Sequence, residues 1–171
     1  MAETQTSQSN TTLPSLAEPV RKSVSVRANS AHAFQVFTQA MDSWWPRSHH
    51  IGSSPMKRVV VEGRKDGAIY TEQEDGTRCP WGTVLAWEPP HRFVMAWQVN
   101  PDWQYEPDLS KCSEVEVRFT PVDDGTTLVE LEHRDFERHG GAFEQMRKQV
   151  NSDGGWGSLM DLFRGKAEEA M

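Results

Sequence analysis

Trp156, Leu159, Met160 and Phe163 recur at i, i+3, i+4 and i+7 near the end of the chain, a spacing that puts four large apolar side chains on one face of a helix. Gly154 and Gly155 precede them, so the backbone there can bend sharply or approach another element closely. A single helix with that much aromatic and sulfur surface needs a large apolar partner. The preceding sequence supplies one, because its apolar positions run with a period of two. Val115, Val117 and Phe119 alternate with Glu114, Glu116 and Arg118; Thr127, Val129, Leu131 and His133 alternate with Leu128, Glu130 and Glu132. Phe93, Met95, Trp97 and Val99 share a face within Arg92 to Val99, and Val20, Val24 and Val26 do so within Val20 to Ala28. Such alternation predicts strands with one buried face.

The punctuation between these runs sets the connectivity. Glu74-Asp75-Gly76-Thr77 is a hairpin turn of the Asp-Gly kind, and Asp123-Asp124-Gly125 is another. Strands are expected over Arg58 to Glu62, Ala68 to Gln73 and Arg78 to Glu88, the last closed by Pro89-Pro90. Ser30 is placed to cap a helix with Ala33, Phe34, Val36, Phe37, Ala40 and Met41 as its apolar set, ended by Trp44-Trp45-Pro46 because Pro46 disfavours helical geometry before it. A second helix is expected from about Ala142 to Val150, with Gly140-Gly141 as its starting joint. Short turns between consecutive strands favour antiparallel pairing, and helices segregated to the ends make the class α+β. The economical arrangement is a curved antiparallel sheet of about six to seven strands around the terminal helix, with a small helix pair after the first strand.

Composition narrows the function classes. The chain has 171 residues and a formal charge of −7, which argues against a nucleic-acid or anionic-membrane surface. No apolar run approaches the roughly 18 residues needed to span a bilayer. Met1 to Glu18 is polar, reads as a disordered tail and lacks the basic start and apolar core of a signal peptide. Two cysteines, Cys79 and Cys112, make no disulfide framework, so a cytoplasmic location is expected. The histidines and cysteines show no CxxC or HxxxH spacing, so neither metal nor cofactor is expected. No Gly-x-Ser-x-Gly elbow and no phosphate-binding glycine loop is present. Seven tryptophans are the unusual number; aromatics with so much contact area either fill a core or line a pocket.

Several segments together carry a family resemblance. They are Phe37 with Trp44-Trp45-Pro46, Trp81-Gly82-Thr83-Val84 running to Trp87-Glu88-Pro89-Pro90, Arg92-Phe93 with Trp97, Gly125-Thr126-Thr127, Leu131-Glu132-His133 and Gly154-Gly155-Trp156. In order and spacing the chain from Pro19 to Glu169 resembles the helix-grip fold of START-like and birch-pollen-allergen-like proteins, the SRPBCC superfamily. More closely it resembles the bacterial branch related to the C-terminal domain of the activator of heat-shock protein 90 ATPase. The resemblance implies one helix-grip domain from residue 19 onward, with a cavity between the concave sheet face and the terminal helix. Various members use that cavity for lipids, polyketides, hormones or other apolar molecules. The chaperone activator itself also uses a separate N-terminal domain; the polar tail stands in its place here.

The expected ligand is therefore an apolar or amphipathic small molecule. Trp45, Met95, Trp97, Trp156 and Met160 would supply apolar contact, with Trp44 or Trp45 at the mouth; His133 and Tyr70 would orient a polar end. Core packing is the plain alternative for the apolar set. For His133 the alternatives are a backbone-satisfied imidazole, a ligand anchor, or an acid–base group in a polyketide cyclase-like enzyme. A protein-interaction module without use of a cavity is a third function class. Trp103 and Tyr105, on a proline-containing loop, are candidate contacts of a homodimer.

Overall fold

The computed structural model describes residues 18–169; the expected tail, Met1 to Glu18, lies outside them except for Glu18. Seven strands form one antiparallel sheet: β1 (Val20–Val26), β2 (Met56–Val61), β3 (Ala68–Gln73), β4 (Arg78–Glu88), β5 (Arg92–Trp97), β6 (Ser113–Asp123) and β7 (Thr126–Arg134). Their spatial order is β1-β7-β6-β5-β4-β3-β2. Apart from the β1–β7 contact, each strand pairs with its sequence neighbour, as the short turns require. The helices are α1 (Ser30–Phe37), α2 (Phe143–Val150) and α3 (Trp156–Ala167). The sheet curls into a half-barrel, and α3 packs against β1 and α1, giving a helix-grip α+β fold.

The alternation read from sequence is the alternation of burial. Val115, Val117, Val129, Leu131 and His133 are all buried, and the register sets His133 opposite both Val20 and Val115. Burying that inner face at about 25 cal/mol per Å2 is the main stabilising term. Phe163 of α3 lies 5.1 Å from Phe37 of α1, ring to ring and edge-on, so the predicted apolar faces of the two helices meet over the sheet.

The outward face is organised by charge. Glu116 is buried there and accepts from Arg92 (2.7 Å) and Arg118 (2.7 Å), with Arg134 as a third partner. Arg134 also reaches Glu114 at 3.1 Å, and Arg21 pairs with Glu132 at 2.9 Å. Burial raises the Glu116 pKa, but the hydrogen bonds from Arg92 and Arg134 outweigh it, and the net shift is downward.

Two local expectations change. Asn29, not Ser30, caps α1: its Oδ1 accepts from the His32 amide at 2.8 Å. Ser30 is the first helical residue, buried with its hydroxyl 3.3 Å from that of Thr127. The helix also stops at Phe37, well before Pro46, because Thr38 leaves helical geometry and its hydroxyl donates to the Phe34 carbonyl at 2.7 Å. Met41–Ser43 then forms a single 3-10 turn, which is the second member of the expected helix pair.

Candidate ligand pocket

Four indoles close a ring at the end of the sheet where α3 begins. Trp45 follows the 3-10 turn, Trp81 lies on β4, Trp97 ends β5 and Trp156 opens α3. Trp45 stacks on Trp81 with centroids 5.1 Å apart and planes inclined by 26°. Trp81 meets Trp97 edge-on at 5.6 Å, Trp97 meets Trp156 at 5.7 Å, and Trp156 returns to Trp45 at 6.3 Å. Offset or edge-on pairs of this kind each contribute about 0.5–1.5 kcal/mol beyond their buried area.

A pocket of about 500 Å3 opens on this ring, within the range of small-molecule sites. Its remaining walls come from the loop Ser48 to Ile51, from Val99 and Trp103 after β5, and from the joint between α2 and α3 with Leu159 beyond it. None of the lining residues is Asp, Glu, Lys or Arg.

Histidine hydrogen bonds tie the walls together. His49 Nε2 lies 3.0 Å from the Gly154 carbonyl, which can only accept, so Nε2 carries the proton and Nδ1 accepts from Ser48 Oγ at 3.1 Å. Trp45 Nε1 donates to the His49 carbonyl at 2.9 Å. Beneath the ring, Trp156 Nε1 donates to His133 Nδ1 at 3.0 Å. That single unambiguous donor orders a relay: His133 Nε2–H donates to Ser113 Oγ at 2.7 Å, and Ser113 donates to His139 Nε2 at 2.7 Å. Burial holds the His133 pKa well below the usual imidazole value, with His139 adding to the shift; burial lowers His139 as well. Both rings are neutral near pH 7.

Of the eight residues singled out from sequence, Trp45, Trp97 and Trp156 line the pocket. Trp44 sits behind them, donating Nε1 to the Val36 carbonyl at 2.8 Å and packing on Phe37 and Phe163. Met95 and Met160 are buried in the core. His133 does not line the pocket; it lies behind Trp156, whose indole it accepts from, and Trp97, whose ring centroid is 5.2 Å from its own. Tyr70 is buried outside the core cluster, with the Arg78 guanidinium 4.7 Å from its ring centroid. Sequence reasoning did not single out Trp81, His50 or Gln149 as pocket residues, and it gave Trp103 only as a candidate homodimer contact; Trp103 lines the pocket and is 45% exposed. The available signal was the tryptophan count: five of the seven line this one pocket.

Residues 27–166 match the family described as Activator of Hsp90 ATPase homolog 1-like protein. The chain belongs to that family. No curated protein matches it in sequence. Among solved structures, this member of the Hsp90-activator-like family is similar to Txn09, an anthrahydroquino-gamma-pyrone synthase solved in complex with SUM. The two are 37% identical, with 86% of this chain and 95% of Txn09 covered and a TM-score of 0.62. It is also similar to CalC from Micromonospora echinospora, a self-sacrificing resistance protein, at 27% identity, with 88% and 94% covered and a TM-score of 0.62. CalU16 from the same organism shares the fold, at 23% identity, 90% and 77% coverage and a TM-score of 0.57. Among the described residues no helix is long and apolar enough to cross a membrane.

Proposed function

We propose that this protein binds a planar, polycyclic aromatic small molecule in the tryptophan-walled pocket. The carrying observation is that five of seven tryptophans converge on one space of about 500 Å3. Flat rings gain from stacking on flat rings, and a pocket lined this way favours aromatic over aliphatic occupants. The 37% identity with a synthase of a fused aromatic pyrone supports the same ligand class. Titration with anthracene and with palmitate, followed by tryptophan fluorescence, tests it. Saturable quenching by anthracene at micromolar concentration, weak response to palmitate, and loss of anthracene binding in Val99→Trp are expected. Equal response to both ligands, or an unaffected Val99→Trp variant, would overturn the reading.

The synthase neighbour also favours a second reading, in which the pocket shapes a polyketide chain for cyclisation. His50, at the pocket wall, is then the imidazole placed to move a proton, and His133 acts through Trp156. Turnover of a polyketide precursor that is lost in His50→Gln supports this reading; binding without any product removes it.

A further inference from the structure

The fifth tryptophan of the pocket, Trp103, stands on a backbone that a bulky aromatic residue rarely adopts. Among the described residues, three that are not glycine have positive φ: Asp66, Asp135 and Trp103, the last at 60°. Aspartate tolerates the left-handed region through local hydrogen bonding, which an indole does not offer. The turn around Trp103 dictates that geometry. Asn100 to Gln104 is the tip of a hairpin whose base is the Val99–Tyr105 bridge, with the Glu106 amide donating to the Gln98 carbonyl at 2.9 Å. The Trp103 amide closes a four-residue turn onto the Asn100 carbonyl at 2.8 Å, and the Asn100 amide donates to the Gln104 carbonyl at 2.9 Å. In a three-residue hairpin loop of this kind the last loop residue is left-handed, and glycine is the residue that fits there. This chain has a tryptophan at that position.

Asn100 holds the strained residue in place. Its Oδ1 accepts from the Asp102 amide at 2.9 Å and from the Gln104 amide at 3.0 Å, so the amides on either side of Trp103 are tied to one atom. Gln145 of α2 adds a bond to the Pro101 carbonyl at 3.4 Å. Strain that the surrounding bonds maintain beside a cavity points to a use for the side chain it positions. Trp103 lines the pocket, is 45% exposed and stands outside the core cluster. Among the described residues it also pairs ring-to-ring with none of the four indoles that close the ring. Its accessible surface is thus committed neither to the core nor to the ring. We propose that Trp103 is the outer aromatic plate of the pocket, stacking on a bound planar ring system from the solvent side, with Asn100 as its positioning residue. This deepens the reading given under the proposed function and rests on it.

Trp103→Gly installs the residue the turn prefers and removes the indole. Relief of strain offsets the lost contacts of a half-exposed side chain, so the melting temperature should stay within about 4 °C of wild type. Anthracene should nevertheless bind about tenfold more weakly, because one stacking partner is gone. Asn100→Ala keeps the indole but frees both amides, and should weaken anthracene binding about threefold or more. Asn100→Asp retains an oxygen that accepts from both amides and should restore it. NMR of the 15N-labelled wild type provides a readout that depends on no variant: the ring current of bound anthracene should shift the Trp103 indole N–H signal. Wild-type affinity in Trp103→Gly or Asn100→Ala, failure of Asn100→Asp to restore binding, or an unmoved Trp103 signal would overturn the inference while leaving the pocket reading standing. So would a wild-type dimer that Trp103→Gly converts to monomer with anthracene affinity unchanged, since Trp103 would then be a subunit contact. Failure of the wild type to bind anthracene would overturn both.

Discussion

Trp156 donates its indole N–H to His133 Nδ1 at 3.0 Å, which fastens the first turn of α3 to the last inward-facing residue of β7. The bond is buried, so removing its donor leaves a desolvated acceptor instead of a hydrated one. Trp156→Phe keeps the ring packing and should cost about 1–3 kcal/mol of stability. Urea denaturation at neutral pH measures it. An unchanged midpoint would show that the relay contributes nothing to holding α3 down.

The same relay predicts acid sensitivity. His133 is held well below 6.5, chiefly by burial, and His139 is lowered too. With folded values depressed, the unfolded chain takes up protons first as pH falls. Stability is then fully present above about pH 6.5 and is lost below it, at about 1.4 kcal/mol per pH unit for each histidine kept neutral. The urea midpoint should be level from about pH 8 to 7 and fall toward pH 5. His133→Gln, which can both accept from Trp156 and donate to Ser113, should flatten that fall; a parallel curve would remove His133 as its source.

Gly155 and Gly154 are adjacent and should respond oppositely to alanine. A Cβ on Gly155 would overlap the Val150 carbonyl, where backbone must shift, whereas a Cβ on Gly154 meets nothing within 4 Å. Gly155→Ala should lose about 3 kcal/mol or more and distort the pocket wall between α2 and α3. Gly154→Ala should change stability by less than about 0.5 kcal/mol. Thermal unfolding of the pair distinguishes a requirement for close approach from a general need for flexible residues.

Most of the architecture was legible because burial is local information. A period of two along Glu114 to Thr120 or Thr127 to His133, and the i, i+3, i+4, i+7 set from Trp156, each report one buried face. Ends of elements were less legible: Thr38 ends α1 through a hydroxyl-to-carbonyl bond to Phe34, which no apolar pattern announces. The pocket was legible in part. Trp97 and Trp156 follow from face parity, but parity does not carry through β3 and β4, where irregular register falls between Ile69 and Tyr70 and between Val84 and Ala86. Tyr70 consequently lies under Arg78 and away from the pocket. His49, His50, Gln149 and Trp103 come from loops or an element end whose positions depend on contacts distant in sequence. The family pattern contained Trp-Gly at Trp81 without saying which way the indole faced.

Glu116 should be the most sensitive carboxylate of the outward face. It is 6% exposed and meets three arginines, of which Arg118 keeps a side chain 60% exposed. Glu116→Gln should cost about 2 kcal/mol at neutral pH, and Arg118→Gln less than about 1 kcal/mol. Because the folded Glu116 pKa is lowered from 4.5, its contribution is present above that value and is lost as pH falls through the folded one. The gap between wild type and Glu116→Gln should therefore close in acid. A gap that persists there would trace the loss to packing instead of charge.

The outward face is a lattice of ion pairs and the pocket has no charged lining residue. Ionic strength thus acts on one and passes over the other. Salt weakens the partly exposed arginine–glutamate pairs within a Debye length of about 8 Å, while a neutral ring system entering an uncharged tryptophan box has no Coulomb energy to screen. On the proposed reading, raising salt loosens the shell and leaves ligand binding in the pocket unaltered, so anthracene affinity should stay level across the ionic strengths that shift the urea midpoint.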